Sequence, residues 1–469
     1  MSHPVIPGFH PDPSVCRVGE DYYLVTSSFE WFPGVPVFHS RDLVHWRQIG
    51  HAVRPGLDGV RPSGGIYAAT IRHHDGLFHV ITTNVDGGGN FYVTAADPAG
   101  PWSEPVWLDA EGFDPSLLFD GGHVWICGVR EKKDRAYDGD TEIWLRELGS
   151  ADERIIWDSP HEFWTEGPHV YRKDDWYYLI TAEGGTDIGH AVMAARSRSI
   201  EGPYEPCPHN PILTHRNQSR EVFGVGHADL VDTPAGQWWM VVLGTRSRVL
   251  GRETFLAPVA WQDGWPVVGP LADVPAEPVL VRDEFHTLGL EWNHLRTPRE
   301  TYWTTGAGLT LRARPETLCE RVNPSLIARR IQHTDFTVAT SMDFAPENDE
   351  RAGLVLVQND DANVRLTLGV DGVSLVTRSA GVDTVRGWAP APGTPVTLEF
   401  EARGGWIQAR CDGRDLGPTF DMGVLAAPVG LGFTGAYAGL YVTSDGRPSA
   451  NTARFAWFEY RSGIKRSRG

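Results

Sequence analysis

The chain has 469 residues, which is too long for one ordinary hydrophobic core and predicts two large domains. Its formal net charge of −18 disfavours nucleic acid and anionic lipid as partners, whereas a neutral substrate meets no such repulsion. The sequence has neither an apolar run long enough for a membrane helix nor a secretory signal at its N-terminus, so we expect no membrane association and a cytoplasmic location.

Short β-rich runs that follow turn signals dominate the first 275 residues. A polar or aromatic residue precedes each run, and these five anchor residues are Asp12, Tyr67, Asp114, Glu166 and His227. They are separated by 55, 47, 52 and 61 residues, and a period near 50 with about four strands is typical of a β-propeller blade. The sequence therefore predicts a five-bladed β-propeller over residues 1–275, whose innermost strands bring the five anchors together.

A second β pattern follows a Pro- and Ala-rich link at residues 272–278. Runs at residues 336–340, 353–357 and 396–401 are apolar or alternate between turns. This pattern predicts a β-sandwich of the jelly-roll type over residues 281–469, so the whole chain is expected to be all-β.

Two of the anchor residues lie in the same local frame. Asp12 lies in Phe-His-Pro-Asp-Pro-Ser, and Asp114 lies in the contracted form Phe-Asp-Pro-Ser. The flanking prolines restrict the backbone and orient each carboxyl group. Glycosidic bond cleavage needs two carboxyl groups, one as acid and one as base or nucleophile. The alternatives are a turn aspartate before a strand for Asp12 and mere repeat ancestry for Asp114.

Glu166 and His227 complete the set of titratable anchors. Gly167 and Pro168 exclude an ordinary solvated helical position for Glu166, and the neighbouring Trp164 offers the apolar setting that raises a carboxyl pKa. The alternatives are a glutamate bonded to backbone and, for His227, a satisfied core histidine. Motifs of zinc proteases, serine hydrolases and phosphate-binding loops are absent from the sequence.

These motifs resemble glycoside hydrolase family 43, the β-xylosidase and α-L-arabinofuranosidase family. The resemblance rests on residues 7–14, 26–37, 39–43, 113–116, 165–169 and 251–254 and covers nearly the whole chain. It implies an inverting mechanism in which Asp12 is the general base, Glu166 is the general acid, and Asp114 orients Glu166 and keeps its pKa high. Inversion implies that the acid and base stand roughly 6.5–9.5 Å apart.

The same resemblance implies the residues that bind substrate. Arg252 would hydrogen-bond the terminal sugar, Phe29 would form a wall of the first subsite, and His227 would lie on the channel axis. Many family members hold a calcium ion there through water, although calcium itself prefers oxygen ligands. No cofactor is therefore expected to be required, and a structural calcium ion in the propeller channel is left open.

One position departs from the family pattern, and one further residue is implied by it. The family commonly has Trp-Ala-Pro at the second blade start, where this sequence has Tyr67-Ala68-Ala69. That departure leaves the preference for xylose or arabinofuranose undecided. In the xylosidase branch a loop of the sandwich closes the pocket, and Tyr437 is the candidate for that lid.

The leading hypothesis is an exo-acting β-xylosidase that works on short xylo-oligosaccharides. The alternatives are an exo α-L-arabinofuranosidase or dual-activity enzyme on the same scaffold and, in another class, a non-catalytic sugar-binding propeller or an interaction scaffold. The expected partner is a small oligosaccharide, and a homo-oligomer is left open.

Overall fold

The computed structural model describes residues 3–54, 56–57, 61–158, 163–275, 278–426 and 432–462. These residues form strands and loops with one short 3-10 helix, Met422–Leu425, and they contain no α-helix. The prediction of an all-β chain is therefore confirmed. No helix in the described part of the chain is long and apolar enough to span a membrane. The chain divides into two compact units, one of residues 1–59, 64–246 and 252–275 and one of residues 60–63, 247–251 and 276–469.

The first unit consists of five antiparallel sheets, which are the predicted propeller blades. From the innermost strand outward, blade 1 is Ser14–Val18, Asp21–Val25, Gly34–Ser40 and Arg47–Val53; blade 2 is Thr70–His74, Leu77–Asn84, Gly89–Ala95 and Val106–Trp107; blade 3 is Phe113–Asp120, His123–Glu131, Thr141–Glu147 and Glu153–Trp157; blade 4 is Glu166–Lys173, Trp176–Glu183, Ala191–Ser197 and Glu205–Pro206; blade 5 is Phe223–Asp232, Trp238–Ser247, Gly251–Gln262 and Trp265–Val268. A fifth short strand, Leu213–Thr214, pairs with the third strand of blade 4. The two-residue strand Trp31–Phe32 follows the second strand of blade 1 in sequence.

Apolar side chains close the blades into a ring. Every neighbouring pair of blades shares a buried cluster, because alternate residues of each strand face the next blade. The cluster between the last and first blades includes Val15, Leu24, Val231 and Val241, so the ring is closed where the sequence is not continuous. The innermost strands of neighbouring blades contact each other around this ring.

A buried ion pair joins the inner strands below the channel mouth. The carboxylate of Asp229 in blade 5 is fully buried and pairs with Arg72 of blade 2 at 2.7 Å. It also accepts hydrogen bonds from the Ser14 hydroxyl at 2.6 Å and from the Tyr171 hydroxyl. Burial alone would disfavour the charge, but the Arg72 guanidinium and His169 beside it hold the pKa of Asp229 below its ordinary value. Blades 1, 2 and 4 are thus bonded to one carboxylate of blade 5.

The second unit contains two sheets, as predicted for a sandwich. The larger one has Trp303–Thr304, Leu309–Arg312, Thr452–Ser462, Phe336–Asp343, Val396–Arg403, Trp406–Cys411 and Arg414–Asp415 in spatial order, with Val279–Asp283 and Phe420–Asp421 paired beside them. The six-stranded sheet has the order Ser325–Arg330, Tyr437–Thr443, Arg351–Asn359, Ala362–Gly369, Gly372–Ser379 and Val382–Ala389. A further short strand is His294–Leu295.

Both sheets contribute to one hydrophobic core. Val338 and Phe458 of the larger sheet and Leu354 and Leu366 of the six-stranded sheet belong to the same buried cluster. Each of these four side chains is fully buried, so the two inner faces exclude water from one another. Successive residues along each strand alternate between this core and the opposite face of the sheet.

Candidate active site

Backbone irregularities orient the anchor residues at the inner strands. Asp12, Asp114 and His227 have left-handed backbones, with φ values of 52°, 51° and 46°. The pairing register shifts at Asp114, Glu166 and His227. Such bulges redirect a side chain and are frequent beside active sites, and Asp and His tolerate positive φ better than most residues do. These local conformations direct the anchor side chains to one site.

Asp12 is held as an ionised carboxylate. Its Oδ1 accepts a 2.8 Å hydrogen bond from Arg252 Nη1, and its Oδ2 accepts a 2.6 Å bond from the Ser27 hydroxyl. Burial opposes the charge, but Arg252, His227 and the Ser27 bond outweigh it and lower the pKa of Asp12. A buried carboxylate that stays charged at neutral pH is suited to be a base rather than an acid.

Glu166 has the opposite character. Its side chain is 17% exposed, so one edge of the carboxyl group reaches the pocket. Burial, reinforced by the negative charge of Asp12, raises the pKa of Glu166 to about 7. Two carboxyl groups in one site therefore differ in protonation at neutral pH, which is the division of labour that general acid–base catalysis requires.

Asp114 is linked to the Glu166 strand. Its Oδ2 accepts a 3.2 Å hydrogen bond from the backbone N–H of Gly167. Burial, together with the charges of Glu166 and Asp12, raises the pKa of Asp114 well above its ordinary value. Asp114 and Glu166 thus form a coupled pair in which ionisation of one opposes ionisation of the other. The hydrogen bond to Gly167 fixes the start of the strand that carries Glu166.

His227 lies between the two aspartates. Its Nδ1 is 3.9 Å from Asp12 Oδ1 and 4.0 Å from Asp114 Oδ2, and its side chain is 6% exposed. A Cβ atom at Gly167 would come within 2.9 Å of the His227 ring, so this position needs glycine, which also suits its φ of 57°. The close approach holds the imidazole ring against the strand that begins at Glu166.

The residues around His227 do not fit a directly coordinated calcium ion. Among the described residues, no group of three or more His, Cys, Asp or Glu side chains is arranged to hold a metal. Calcium takes six to eight oxygen ligands, whereas the nearest groups here are an imidazole and two carboxylates that the protein already engages. An ion in this channel would therefore have to be held mainly by water.

Aromatic side chains wall the site beside Arg252. Phe29 has its ring centroid 5.0 Å from that of Tyr67 and 5.5 Å from the Arg252 guanidinium carbon. Phe113 lies edge-on to Tyr67 at 6.5 Å. Arg252 Nη1 also donates to the Thr186 hydroxyl at 3.1 Å. The predicted substrate-binding residues Phe29, Tyr67 and Arg252 are thus brought together with Asp12 in the first unit.

Tyr437 lies in the second unit. It begins the strand Tyr437–Thr443 instead of lying within a loop, and its side chain is fully buried. The guanidinium of Arg330 lies over its ring at 5.3 Å. Its assignment to a lid stays a prediction.

His190 is a site residue that the sequence analysis did not identify. Its ring is fully buried, and Nε2, which has no hydrogen-bond partner among the described residues, lies 3.9 Å from Glu166 Oε1. Burial, followed by the charge of His227, lowers the pKa of His190 to about 3, so the ring is neutral. With Nδ1 donating to the Gly224 carbonyl at 3.3 Å, Nε2 of the neutral ring carries a lone pair, and the ring covers Glu166 without adding a positive charge. His190 directly precedes the third strand of blade 4, so a search restricted to the first strand of each blade overlooks it.

We expect His190→Ala to shift the alkaline limb of the pH–rate profile to lower pH by about half a unit or more. Removal of the ring lets water reach Glu166, so the pKa of this carboxyl group falls. Profiles of kcat/KM against pH would show the shift. The matched control is His215→Ala, which removes another buried histidine that is bonded to a backbone carbonyl. An unchanged limb in His190→Ala, or an equal shift in the control, would contradict this role.

The protonation states predict a bell-shaped dependence of kcat/KM on pH. Activity should fall as pH rises through about 7, because Glu166 loses the proton that the leaving group needs. It should fall on the acid side only below the ordinary aspartate value of 3.8, because the pKa of Asp12 is lowered. Initial rates with a p-nitrophenyl glycoside between pH 3 and 9 would test both limbs. An alkaline limb above pH 9 would exclude Glu166 as the acid in this protonation state.

The sequence was compared with protein families and with known proteins. Residues 1–266 match the family described as glycosyl hydrolases family 43, and residues 282–461 match the beta xylosidase C-terminal Concanavalin A-like domain. The chain is 39% identical to a non-reducing end alpha-L-arabinofuranosidase of Bacteroides ovatus, with 98% of this chain and 94% of the relative covered. It is 38% identical to a xylosidase/arabinosidase of Butyrivibrio fibrisolvens, with 97% and 98% covered.

Solved structures show the same relationship. The crystal structure of a xylan beta-1,4-xylosidase from Bacillus halodurans has a TM-score of 0.90 at 32% identity and covers 98% of this chain and 100% of that one. A Bacteroides ovatus structure named for a xyloglucan locus has a TM-score of 0.88 at 36% identity, with 98% and 99% covered. The likeness extends over both units.

Proposed function

The chain belongs to glycosyl hydrolase family 43, and from that premise we propose that it is an inverting exo-β-xylosidase that releases terminal xylose from short xylo-oligosaccharides. It is a glycoside hydrolase, so the proposal concerns its substrate and its mechanism. The observation that carries it is one buried site in which Arg252 and Ser27 bond the Asp12 carboxylate and lower its pKa, while burial and the charge of Asp12 raise the pKa of Glu166 to about 7. A displacement by water needs such a pair, with one carboxylate to accept a proton and one carboxylic acid to donate one.

Asp12 acts as the general base in this mechanism. Its carboxylate takes a proton from a water molecule as that water attacks the anomeric carbon from the face opposite the leaving group. The Arg252 and Ser27 hydrogen bonds hold the two oxygens and keep the carboxylate charged before reaction. Arg252 lies beside Asp12 and over the ring of Phe29, so a sugar held against Phe29 would lie within reach of its guanidinium group.

Glu166 acts as the general acid. Its proton passes to the glycosidic oxygen as the bond to the anomeric carbon breaks, so no charged leaving group is released. Asp114 acts through Glu166, because it fixes the backbone at Gly167 and its own ionisation would oppose that of Glu166. The aromatic rings of Phe29 and Tyr67 offer apolar faces to the sugar ring.

Proton NMR of the first sugar released from p-nitrophenyl β-xyloside tests the proposal, because this substrate has a single sugar and its leaving group adds no anomeric signal. Release of α-xylose from the β-linked substrate supports inversion and xylosidase activity together. Release of β-xylose would overturn inversion, and no release of xylose would overturn the xylosidase assignment.

An exo α-L-arabinofuranosidase is the second candidate. It is favoured by Tyr67, which replaces the tryptophan that is common at this position, and by the arabinofuranosidase name of a relative with 39% identity. Phe29 and Phe113 flank the Tyr67 ring, so its hydroxyl adds a polar group to an otherwise apolar wall. The ratio of kcat/KM for p-nitrophenyl β-xyloside and α-arabinofuranoside separates the two activities. Comparable values would assign a dual-activity enzyme.

We propose that hydrolysis needs no metal ion, because Asp12 and Glu166 supply both proton transfers. Dialysis against a chelator is expected to leave kcat/KM unchanged within about twofold. Such a change is far smaller than the roughly hundredfold or greater loss that follows removal of an acid or base group. A fall in the unfolding temperature on chelation would instead report an ion that stabilises the folded state. A loss of activity that calcium restores would contradict the proposal.

A further inference from the structure

The outer face of the six-stranded sheet carries a cavity of about 570 Å³. Its lining residues alternate along the strands with residues of the sandwich core. Arg365 precedes the core residue Leu366, and Val376 follows the core residue Leu375. The volume is within the range of small-molecule sites, and the cavity contains none of the residues that form the pocket around Asp12.

The floor of the cavity is polar and held in place by ion pairs. Asp383 pairs with Arg365 at 2.6 Å and with Arg378 at 3.1 Å, and Arg378 also donates to the Asp360 carbonyl. Arg365 Nε is buried without a hydrogen-bond partner among the described residues. The two guanidinium planes are therefore fixed in orientation before a ligand arrives.

One wall of the cavity is apolar and faces solvent. Trp388 is 57% exposed and Val385 is 69% exposed, and both lie on the edge strand Val382–Ala389. Val385 pairs with Val376 on the neighbouring strand, and Trp388 pairs with Ser374. Trp388, Val385 and Val376 line the same cavity, so their apolar surfaces form one continuous wall and are not isolated exposed residues.

We propose that this cavity binds a neutral oligosaccharide by its internal sugar units. A sugar ring presents an apolar C–H face, which suits Trp388, and hydroxyl groups, which suit the fixed guanidinium and carboxylate groups below it. The choice of a pentose polymer as the ligand rests on the proposed function. The inference that the ligand is a neutral oligosaccharide rests on the shape and chemistry of the cavity alone.

Charge balance favours a neutral ligand over an anion. Three arginines and three aspartates line the cavity, so their formal charges cancel. An anion would compete with Asp383 for Arg365 and Arg378 and would have to approach a protein of net charge −18. Hydroxyl groups can both donate to the carboxylates and accept from the guanidinium groups without breaking these pairs.

The same groups disfavour a second protein copy as the occupant. A flat protein surface over this sheet would bury the ion pairs of Asp383, whose side chain is about half exposed. Removing charged groups from water is costly, and charged residues are depleted at the centres of protein interfaces. A sugar chain replaces the lost water with its own hydroxyl groups.

Affinity electrophoresis in gels that contain soluble arabinoxylan tests the proposal. The Glu166→Gln background prevents digestion of the polymer, and a long polymer has few chain ends, so retardation reports binding to internal units. We expect the parent to be retarded and Trp388→Ala to bind about five- to tenfold more weakly. Trp406→Ala is the matched control, since Trp406 is 55% exposed on the other sandwich sheet.

Several results would overturn the proposal. They are absence of retardation in the parent, retardation of Trp388→Ala equal to that of the parent, and an equal loss in Trp406→Ala. Self-association that Trp388→Ala abolishes, measured by light scattering, would assign the face to a second copy instead. Hydrolysis of a p-nitrophenyl pentoside by the otherwise wild-type Trp388→Ala should stay within about twofold of the parent, a change far below that of a lost acid or base. An inactive wild-type enzyme would count only against the proposed function.

Discussion

Asp12→Asn is expected to lower kcat for xylobiose hydrolysis by at least about 100-fold. The substitution keeps the size of the side chain but removes the basic oxygen that would take the proton from water. Ser27 and Arg252 both donate to this carboxylate, so an amide in its place also faces one donor with another. Because the lost group acts on the attacking water, the decrease should be similar for substrates with good and poor leaving groups.

Asparagine is a better replacement than alanine at this position. Asp12 has a φ of 52°, and asparagine tolerates the left-handed region more readily than alanine does. Asp12→Ala should therefore lose activity to a similar extent and also lose some stability. Thermal unfolding of the two variants would separate these effects.

Asp263→Asn is the matched control for Asp12→Asn. Asp263 also has a φ of 52°, but it lies in the exposed turn between the last two strands of blade 5. The same substitution in the same conformation should leave kcat unchanged. Near-wild-type activity of Asp12→Asn, or an equal loss in the control, would rule out Asp12 as the base.

Glu166→Gln is expected to lower kcat by at least about 100-fold on xylobiose, whose leaving group needs a proton. The loss should be much smaller on a dinitrophenyl xyloside, because that leaving group departs as a stable anion. The alkaline limb of the pH profile near pH 7 should also disappear, since the group that titrates there is gone.

Glu205→Gln provides the control for Glu166→Gln. Glu205 lies on the outermost strand of the same blade, is 53% exposed and pairs with Arg196. This variant should retain both the rate and the alkaline limb. If Glu166→Gln slowed both substrates equally and kept the limb, Glu166 would be a structural residue instead of the acid.

The blade pattern and the acid–base anchors could be predicted from the sequence because both are local. Each blade repeats turn signals and apolar runs at a near-constant period, so the five-bladed propeller was predictable from one chain. Asp12, Asp114 and Glu166 stood out because proline and glycine mark their short frames. The contacts between these anchors follow from propeller geometry, since every inner strand faces the same axis.

Other features depended on residues that are distant in sequence. His190 has no blade-start frame, and it faces Glu166 only because the third strand of blade 4 begins there. The cavity of the six-stranded sheet needs three strands in register before Arg365, Arg378 and Asp383 meet Trp388. Neither His190 nor the cavity residues lie in a sequence motif that identifies the residues they contact.

The sequence by itself determined the fold class, the blade period and the identity of the candidate acid and base. The tertiary structure decided which carboxyl group is charged. Asp12 and Glu166 are both buried, but the Asp12 carboxylate has the guanidinium of Arg252, 240 residues away in sequence, within hydrogen-bonding distance. The physical reason is that a pKa depends on desolvation and on charges within a few ångströms, and a linear sequence specifies neither until the chain is folded.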